Sequence, residues 1–442
     1  MTFGPRPAHR AFHVARRPLL AAAVAALSAA CERPESDRRA SYVEQAVALA
    51  PEIERATGLR FTTPPRVEVR TAEQVRSFVQ RAVDEPDARA ELAGQTLAYR
   101  LLGMIPDDLD LRALLVEVLE EQVVGYYDPR SKTLYVVQGA DSVAAVETLR
   151  HELVHALQDQ HRNLDSLLRL RGQADRASAA HAALEGQATW VQLARGADSA
   201  MRKEGAWERT RESIRANMDR TPALASAPLI VRETLLFPYL SGAELARSVS
   251  GNGHPDSLLR RLPESTEQVL HADRYVGQGG RPDAPLAVAL PSPRLGSVVA
   301  ENTLGEFETR LVLYEHLNDL RAAAEAANGW GGDRWLVVRT PSGDAFVWVT
   351  AWDGAVDAAQ FYDAMSQAVG RRYAGSREVD PPKGAPVTPT TRLYAAPIAA
   401  GGARSLMVRA SEVQGRPVVL YVDAPAAAGT DLLDLARVTL TP

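Results

Sequence analysis

The spacing of apolar residues along the chain alternates between helical and strand-like periods. From about Tyr42 to Glu121 apolar residues recur every three or four positions, in AVALAPEIERA, DARAELAGQTLAYRLLGM and LDLRALLVEVLEEQ, which predicts helices. In the next segment, VVGYYDPRSKTLYVV, β-branched and aromatic residues flank a DPRS turn, and we predict a β-hairpin over Val123 to Val137. Helical spacing resumes from about Ser142 through the 150s and again from about Arg176 to Arg195.

A loop-rich stretch at 276–296, VGQGGRPDAPLAVALPSPRLG, separates this helical region from a mixed pattern. Two helical segments are predicted near 300–328 and one at AVDAAQFYDAMSQAVG. Strands are predicted at RWLVVRT, AFVWVTAW, TRLYAAPIA, SLMVRAS and PVVLYV. We therefore expect an α+β protein with a mainly helical domain at 42–275, a linker at 276–296 and a smaller α+β domain at 297–442.

Composition supports two folded domains. The chain has 442 residues, of which 46% are apolar and 24% charged, a balance typical of globular proteins. A chain of this length is too long to fold around one core. The formal net charge is −5, so basic residues are not in excess. A nucleic-acid partner is therefore not expected.

The N-terminus has the layout of an export signal. Four arginines and no acidic residue precede an apolar run from Pro18 to Leu27, which is too short to span a bilayer. Small residues then lead to Cys31, the only cysteine, as in a bacterial lipoprotein signal, although Ser28 stands where Leu is usual. We expect a signal peptide at 1–30, a lipid on Cys31, a polar tether at 31–41 and a lipid-anchored location in the cell envelope. An ordinary secretory signal cleaved nearby is the alternative.

The segment HELVHALQDQH contains the candidate metal ligands and the candidate general base. On a helix, His151 and His155 lie one turn apart, so both imidazoles can reach one cation, and Glu152 lies about 100° round, near a metal-bound water. Zinc with three protein ligands keeps a position for water and lowers the pKa of that water to about 7. We predict Zn²⁺ as cofactor and Glu152 as the general base. An exposed histidine pair on an ordinary helix is the alternative.

Two residues compete for the third ligand position. His161 has the metzincin spacing, but Gln158 stands where metzincins have the glycine that turns the chain, and ALQDQH predicts a helix that carries His161 past the metal. Glu185 lies in AAHAALEGQATWVQLA, a second predicted helix whose small residues allow close helix approach. This pattern favours Glu185 over His161.

Further polar residues are candidates for supporting roles. His181, one turn before Glu185, is either a ligand-orienting residue or an exposed helix histidine, and Asp159 either holds an imidazole or solvates the helix. An oxyanion donor is also needed for peptide hydrolysis. Our candidates for this donor are His271 and Tyr275 downstream, and Tyr126 or Tyr127 in the hairpin.

Five segments of the chain, GYYDPRSKTLYV, LRHELVHALQDQH, ALEGQAT, LPESTEQVLHADRY and NGWGGDRW, together resemble a largely uncharacterised family of bacterial secreted or lipid-anchored zinc metallopeptidases of gluzincin type. The resemblance spans roughly residues 110–360. It implies a zincin-like domain with an edge strand before the HExxH helix, zinc ligands at His151, His155 and Glu185, and Glu152 as catalytic residue. Thr189 stands where thermolysin-type enzymes carry a carboxylate that orients a histidine.

We therefore expect a zinc-dependent peptidase that acts on a peptide or protein substrate in the bacterial envelope. The alternative is a zincin-fold lipoprotein that has lost turnover and serves binding or assembly. The sequence specifies neither the cleavage preference nor the oligomeric state.

Overall fold

The computed structural model describes residues 35–122, 124–138, 142–167, 170–193, 205–218, 221–250, 256–277, 279–381, 390–398 and 401–442. The expected signal peptide and Cys31 lie outside the described residues. Within those residues no helix combines the length and the apolar character needed to cross a membrane.

The first half of the chain is mainly helical. Its helices are α1 (Glu35–Thr57), α2 (Ala72–Val83), α3 (Pro86–Leu102), α4 (Leu111–Gln122), α5 (Ser142–His161), α6 (Leu164–Leu167) and α7 (Ala174–Leu193). Helix α1 begins at Glu35, inside the segment 31–41 expected to be a tether, so most of that segment is helical. Helix α2 has a capping box at Thr71 and Gln74, which the sequence analysis did not use.

A three-stranded sheet lies between these helices. Its strands are β1 (Arg66–Arg70), β2 (Gly125–Asp128) and β3 (Thr133–Val137), in the order β1-β3-β2. Strands β2 and β3 form the predicted hairpin, with Tyr126 opposite Tyr135 and Lys132 at φ 54° in the turn. Strand β1 joins β3 in parallel. In the described part of the chain β2 is therefore an edge strand.

Helices α5 and α7 pack around one apolar core with α1 and β3. Leu149, Leu153 and Leu157 of α5 are fully buried there, together with Ile53 of α1 and Leu134 of β3. These leucines occupy one face of α5. Because that face is buried, the opposite face of α5 is directed toward α7. The packing thus decides which α5 side chains are available for chemistry.

Short helices follow α7. They are α8 (Ala206–Met218), α9 (Pro222–Ser226), α10 (Leu229–Phe237), a π-helical turn (Pro238–Gly242), α11 (Ala243–Ser250), α12 (Ser257–Arg260), α13 (Thr266–Leu270) and α14 (Ala272–Val276). The π-helical turn matters for the site because a wide turn of this kind rotates the following side chains away from the α-helical register.

The C-terminal region contains a seven-stranded antiparallel sheet. Its strands follow the order β5 (Ser297–Asn302), β6 (Trp330–Thr340), β7 (Gly343–Trp352), β11 (Arg416–Pro425), β10 (Ala403–Val413), β9 (Thr391–Pro397) and β8 (Arg377–Glu378). Helices α15 (Gly305–Leu317), α16 (Leu320–Ala327) and α17 (Ala355–Arg372) cover one face, and the other face packs against β4 (Ala287–Ala289), β12 (Thr439–Thr441) and the 3₁₀ turn Leu435–Arg437. The α+β class is confirmed.

The expected linker at 276–296 is part of the packed structure. Strand β4 pairs with β12, and Leu286 N–H donates to the carbonyl of Gly331 at 2.7 Å. The largest apolar core also crosses this boundary, because Tyr99 of α3 and Ile230 of α10 pack in it with residues of the C-terminal sheet and helices. The two regions therefore share a core.

Candidate metal centre

Helix α5 presents His151, Glu152 and His155 on the side away from its buried leucines. The two imidazole rings are 4.9 Å apart between centroids and nearly perpendicular. Their side chains keep 13% and 11% of their surface exposed, so both are mostly buried but remain accessible to solvent. The i,i+4 spacing thus has the geometry that the sequence predicted.

Helix α7 brings Glu185 against both histidines. Glu185 Oε2 lies 3.0 Å from His151 Nε2 and 3.4 Å from His155 Nε2. One potential ligand atom from each of the three residues lies within 4.8 Å of those of the other two. The structure therefore joins the three predicted metal ligands in one cluster.

Small residues of α7 make this approach possible. Ala182, Ala183 and Gly186 are buried beside Glu185. A Cβ on Gly186 would collide with the backbone of Gly242 in the π-helical turn, so only glycine fits at that position. The helix is thus held between α5 and the π-helical turn.

Two glutamines orient the histidines. Gln158 Oε1 lies 2.8 Å from His155 Nδ1, and Gln158 Nε2 donates to the carbonyl of Leu184 and to Gln187 Oε1. Gln192 Oε1 lies 3.3 Å from His151 Nδ1. A histidine that donates from Nδ1 to an amide oxygen carries its lone pair on Nε2, the atom that faces Glu185.

These amides replace the carboxylate expected in thermolysin-type enzymes. In the sequence Gln158 stands out only as the residue in the place of a metzincin glycine, and Gln192 carries no local signal. Thr189 is buried, and its hydroxyl has no hydrogen-bond partner among the described residues.

The cluster is strongly polarised. Burial raises the pKa of Glu185, but His155 and the hydrogen bonds from His151, His155 and His181 outweigh it and hold that pKa well below the usual value. Burial lowers the pKa of His155, yet the charge of Glu185 outweighs this and raises it to about 9. The site therefore has the local electrostatics that favour a cation.

Glu152 lies between the helix and the edge strand. Its Oε2 accepts a hydrogen bond from the backbone N–H of Tyr127 at 2.8 Å. Burial raises the pKa of the Glu152 carboxyl, and the two histidines oppose that rise. Position and protonation behaviour thus both suit proton transfer.

Asp159 fixes the hairpin on α5 and does not contact the histidines. It accepts from Tyr127 Oη at 2.7 Å, from Lys132 Nζ at 2.7 Å and from the Leu164 N–H at 3.0 Å. Neither of its expected roles, imidazole support or helix solvation, matches these contacts. Its role is to place β2 beside Glu152.

Tyr239 is a site residue that the sequence analysis missed. It lies in the π-helical turn, its ring centroid is 6.4 Å from that of His151, and its phenol interacts with the Glu185 carboxylate. The Glu185 charge, followed by burial, raises the pKa of its phenol well above the usual value. A protonated hydroxyl therefore faces the ligand cluster.

Two further histidines near the HExxH helix have different environments. His161 Nε2 lies 2.7 Å from the carbonyl of Arg60, away from the ligand cluster, because α5 continues as a helix through Gln158. His181 Nε2 lies 3.3 Å from Glu185 Oε1, with 52% of its side chain exposed. His181 thus borders the cluster from the solvent side.

The candidates His271 and Tyr275 are wrong as members of this site. His271 Nε2 lies 3.0 Å from Glu306 Oε1, a partner on α15. Tyr275 Oη donates to the carbonyl of Arg261 at 2.7 Å, and its ring packs beneath the Arg261 guanidinium. Both side chains serve packing against neighbouring segments. Tyr126 also points elsewhere, since it stacks on Phe78 of α2.

The three ligands fit a zinc ion. Ligand atoms around tetrahedral zinc, with bonds near 2.0 Å, lie about 3.3 Å apart, which matches the two nitrogen–oxygen separations. Two neutral imidazoles and one carboxylate are a known catalytic zinc set that leaves a position open. The amide partners on both Nδ1 atoms supply the orienting contacts that such sites need.

A second acidic group has a different character. Glu267, Asp283 and Asp353 also lie close enough to share a ligand, but Arg274 Nη1 forms ion pairs with all three of them. The guanidinium occupies the centre of this group, which makes it an ion-pair network between two parts of the chain.

Comparison with known proteins gives limited matches. Residues 294–431 match the family described as "Domain of unknown function (DUF8575)", which covers the C-terminal sheet and its helices. No curated protein matches the chain at a significant level.

One solved structure, described as a "putative hydrolase with a novel fold from Chloroflexus aurantiacus", shows 17% identity over 55% of this chain and 90% of its own, with a TM-score of 0.35. At that score the likeness carries no argument about fold or activity. The function of the candidate centre therefore rests on its own geometry.

Proposed function

We propose that this protein is a zinc-dependent peptidase with a zincin-like catalytic domain of gluzincin type. The observation that carries the proposal is the meeting of His151, His155 and Glu185 through Nε2, Nε2 and Oε2, with Glu152 directly beside them. When bound, zinc would supply Lewis-acid activation of a water molecule and of the scissile carbonyl.

Glu152 is the general base of the proposed reaction. Its carboxylate would take the proton from the attacking water and pass it to the leaving amine. The Tyr127 N–H holds one carboxylate oxygen at 2.8 Å, which leaves the other directed to the reacting atoms. Burial raises the pKa of Glu152, which makes its carboxylate a better proton acceptor than an exposed one.

The free edge of β2 is the proposed binding site for the substrate backbone. The Val124 carbonyl accepts from the Val137 N–H, so this residue is turned toward β3. In an antiparallel pair the backbone groups of alternate residues point outward, which here directs those of Gly125 and the carbonyl of Tyr127 to the free edge, while the Tyr127 N–H is held by Glu152. An extended peptide added there would pass Glu152.

Tyr239 is the proposed donor to the developing oxyanion. Its hydroxyl stays protonated because the anionic Glu185 raises its pKa, and it lies next to a ligand of the proposed metal. A preorganised donor of this kind is worth about 10²–10³ in kcat in other hydrolases. Tyr239→Phe should therefore lower kcat by about that factor and leave zinc content unchanged.

The test of the main proposal is Glu152→Gln. This change keeps the size of the side chain and removes the base. The purified variant should bind zinc at parity with the parent, while cleavage of an unfolded test protein falls by several orders of magnitude. Chelator should abolish cleavage by the parent, and added zinc should restore it. Cleavage by Glu152→Gln at the parent rate would refute the role of Glu152.

An envelope-binding or assembly protein without turnover is the second candidate. In that case the C-terminal region, which shares the largest core with the helical region and matches a domain of unknown function, would serve binding. One equivalent of zinc with no cleavage of any unfolded protein by the parent would support this candidate over a peptidase.

We also propose that the protein is exported and lipid-anchored through Cys31. Cys31→Ser should then prevent acylation and shift the protein from the membrane fraction to the soluble fraction. A variant that still sediments with membranes would refute the anchor.

A further inference from the structure

A groove of about 370 Å³ lies beside β2, on the face of that strand opposite α5. Neighbouring side chains of a strand point to opposite faces. Tyr127 reaches Asp159 of α5, so Tyr126 points the other way and lines the groove together with Phe78 of α2. The groove and Glu152 are thus on two sides of the same short strand.

The floor of the groove is aromatic. Phe78 and Tyr126 stack with ring centroids 4.3 Å apart, and Tyr135 follows at 5.0 Å from Tyr126. The Arg70 guanidinium carbon lies 4.4 Å from the Tyr135 centroid. Stacked rings with a guanidinium at the end form a rigid floor, because each ring limits the motion of the next.

Two arginines line the groove. Arg70 Nε is buried and has no hydrogen-bond partner among the described residues, and the distance from Arg70 Nη2 to Glu68 Oε2 is 3.8 Å. Arg81 is exposed at the rim and forms no ion pair within the described part of the chain. Both arginines line the groove together with Tyr126.

Two acidic residues, Asp128 and Glu73, also line the groove, so its formal charges cancel. Asp128 already accepts hydrogen bonds from the Arg130 N–H at 3.0 Å and from Ser131 Oγ at 2.8 Å. Glu73 is exposed in the first turn of α2. Because Arg81 forms no ion pair within the described residues, a carboxylate entering the groove would find an available guanidinium there, whereas Arg70 is already within 3.8 Å of Glu68.

We propose that this groove is a specificity subsite for an acidic side chain of a peptide that pairs with the free edge of β2. The inference rests on the proposed function, since it takes the peptide backbone to lie along β2. In such a peptide, alternate side chains would face α5 and the residues between them would face the groove. A side chain next to the residue at Glu152 would reach Arg70 and Arg81.

The test is peptide binding to the zinc-loaded Glu152→Gln variant, which separates recognition from turnover. Fluorescent peptides of identical sequence, with Glu, Gln, Phe or Lys at one scanned position, are titrated and followed by anisotropy. At the position that enters the groove, the Glu peptide should bind about tenfold more tightly than the Gln peptide, and higher salt should reduce that preference.

Arginine variants locate the preference. Arg81→Gln and Arg70→Gln should each remove most of the preference for Glu and leave the affinity of the Gln peptide unchanged. Arg89→Gln, at another exposed arginine that lines a different cavity, is the matched control and should behave as the parent.

Three results would overturn the subsite. They are equal binding of Glu and Gln peptides at every position, tightest binding of the Phe peptide, and a preference for Glu that survives both arginine variants. Selective binding of Glu peptides with no cleavage by the parent would leave the subsite standing and refute the peptidase. Cleavage without any preference would do the reverse.

Discussion

Gly186 of α7 and Gly242 of the π-helical turn lie backbone against backbone; Gly186 directly follows Glu185, and Gly242 is three residues after Tyr239. A Cβ on Gly186 would collide with the carbonyl group of Gly242. Because Glu185 precedes Gly186 and Tyr239 lies in the same π-helical turn as Gly242, this contact sets the distance between carboxylate and phenol. Two residues without side chains thus position two that carry chemistry.

Gly186→Ala should therefore separate the two elements. We expect a loss of about 1–3 kcal/mol in the free energy of unfolding, as for overpacking in a core, together with weaker zinc binding. Denaturant unfolding and zinc titration measure the two effects. Gly370→Ala is the matched control, because Gly370 is in helix α17 with open space around it, and alanine there should be neutral or stabilising. Equal effects of the two substitutions would contradict the role of the contact.

Gln158 offers a second test, on how His155 is oriented. Gln158→Met keeps the approximate volume but removes the acceptor of the His155 Nδ1 hydrogen bond. We expect zinc affinity to fall by about 10–100-fold, the usual loss for a residue that orients a metal ligand. Gln160→Met is the control on the same helix, because Gln160 bonds to Thr62 and Thr63 instead. Unchanged zinc affinity in Gln158→Met would show that the hydrogen bond does not orient the ligand.

The sequence predicts the part of the site that depends on local spacing. His151, Glu152 and His155 follow each other within five positions of one helix, so helix geometry alone determines that they meet. The β2–β3 hairpin is likewise local, since its turn and flanking residues are contiguous. Predicting Glu185 required a contact between two helices, and the small residues around Glu185 indicated that its helix could approach another closely.

Other site residues depend on tertiary packing that no local pattern reports. Tyr239 reaches Glu185 only because Pro238–Gly242 forms a wide turn and because Gly186 admits it. His271 and Tyr275 were chosen for their residue types, yet their partners come from distant segments. Strand β1 was missed although RVEVR alternates polar and apolar residues over five positions, because the whole stretch from Tyr42 to Glu121 was interpreted as helical.

Buried carboxylates predict the pH dependence of stability. Burial raises the pKa of Asp175 to about 7 and that of Glu308 to about 8. Asp175 accepts a hydrogen bond from Thr266 within the helical region, and Glu308 accepts one from Tyr99 across the boundary between the helical and C-terminal regions. In the unfolded chain these groups titrate near 4, so the folded protein binds more protons between pH 4 and their folded pKa values.

Stability should accordingly be greatest at low pH within this window and fall as pH rises toward 8. Each additional proton bound by the folded state lowers the free energy of unfolding by about 1.4 kcal/mol for each pH unit of increase. Melting temperatures measured from pH 5 to 8 should therefore decrease, and the double change Asp175→Asn with Glu308→Gln should flatten the decrease. A parent protein that becomes more stable from pH 5 to 8, or a double variant with the parent slope, would contradict this account.

The last prediction separates the two ligand sets that the sequence allows. In the structure Glu185 Oε2 lies 3.0 Å from His151 Nε2, whereas His161 contacts the carbonyl of Arg60. Glu185→Ala leaves two neutral histidines, so zinc affinity should fall by much more than the 10–100-fold typical of losing an orienting residue. His161→Ala should retain nearly the affinity of the parent. Because metal binding stabilises only the folded state, zinc should raise the melting temperature of the parent and of His161→Ala, but not that of Glu185→Ala. Parallel zinc titrations and melting curves provide the measurement, and retention of parental zinc affinity by Glu185→Ala would refute the gluzincin ligand set.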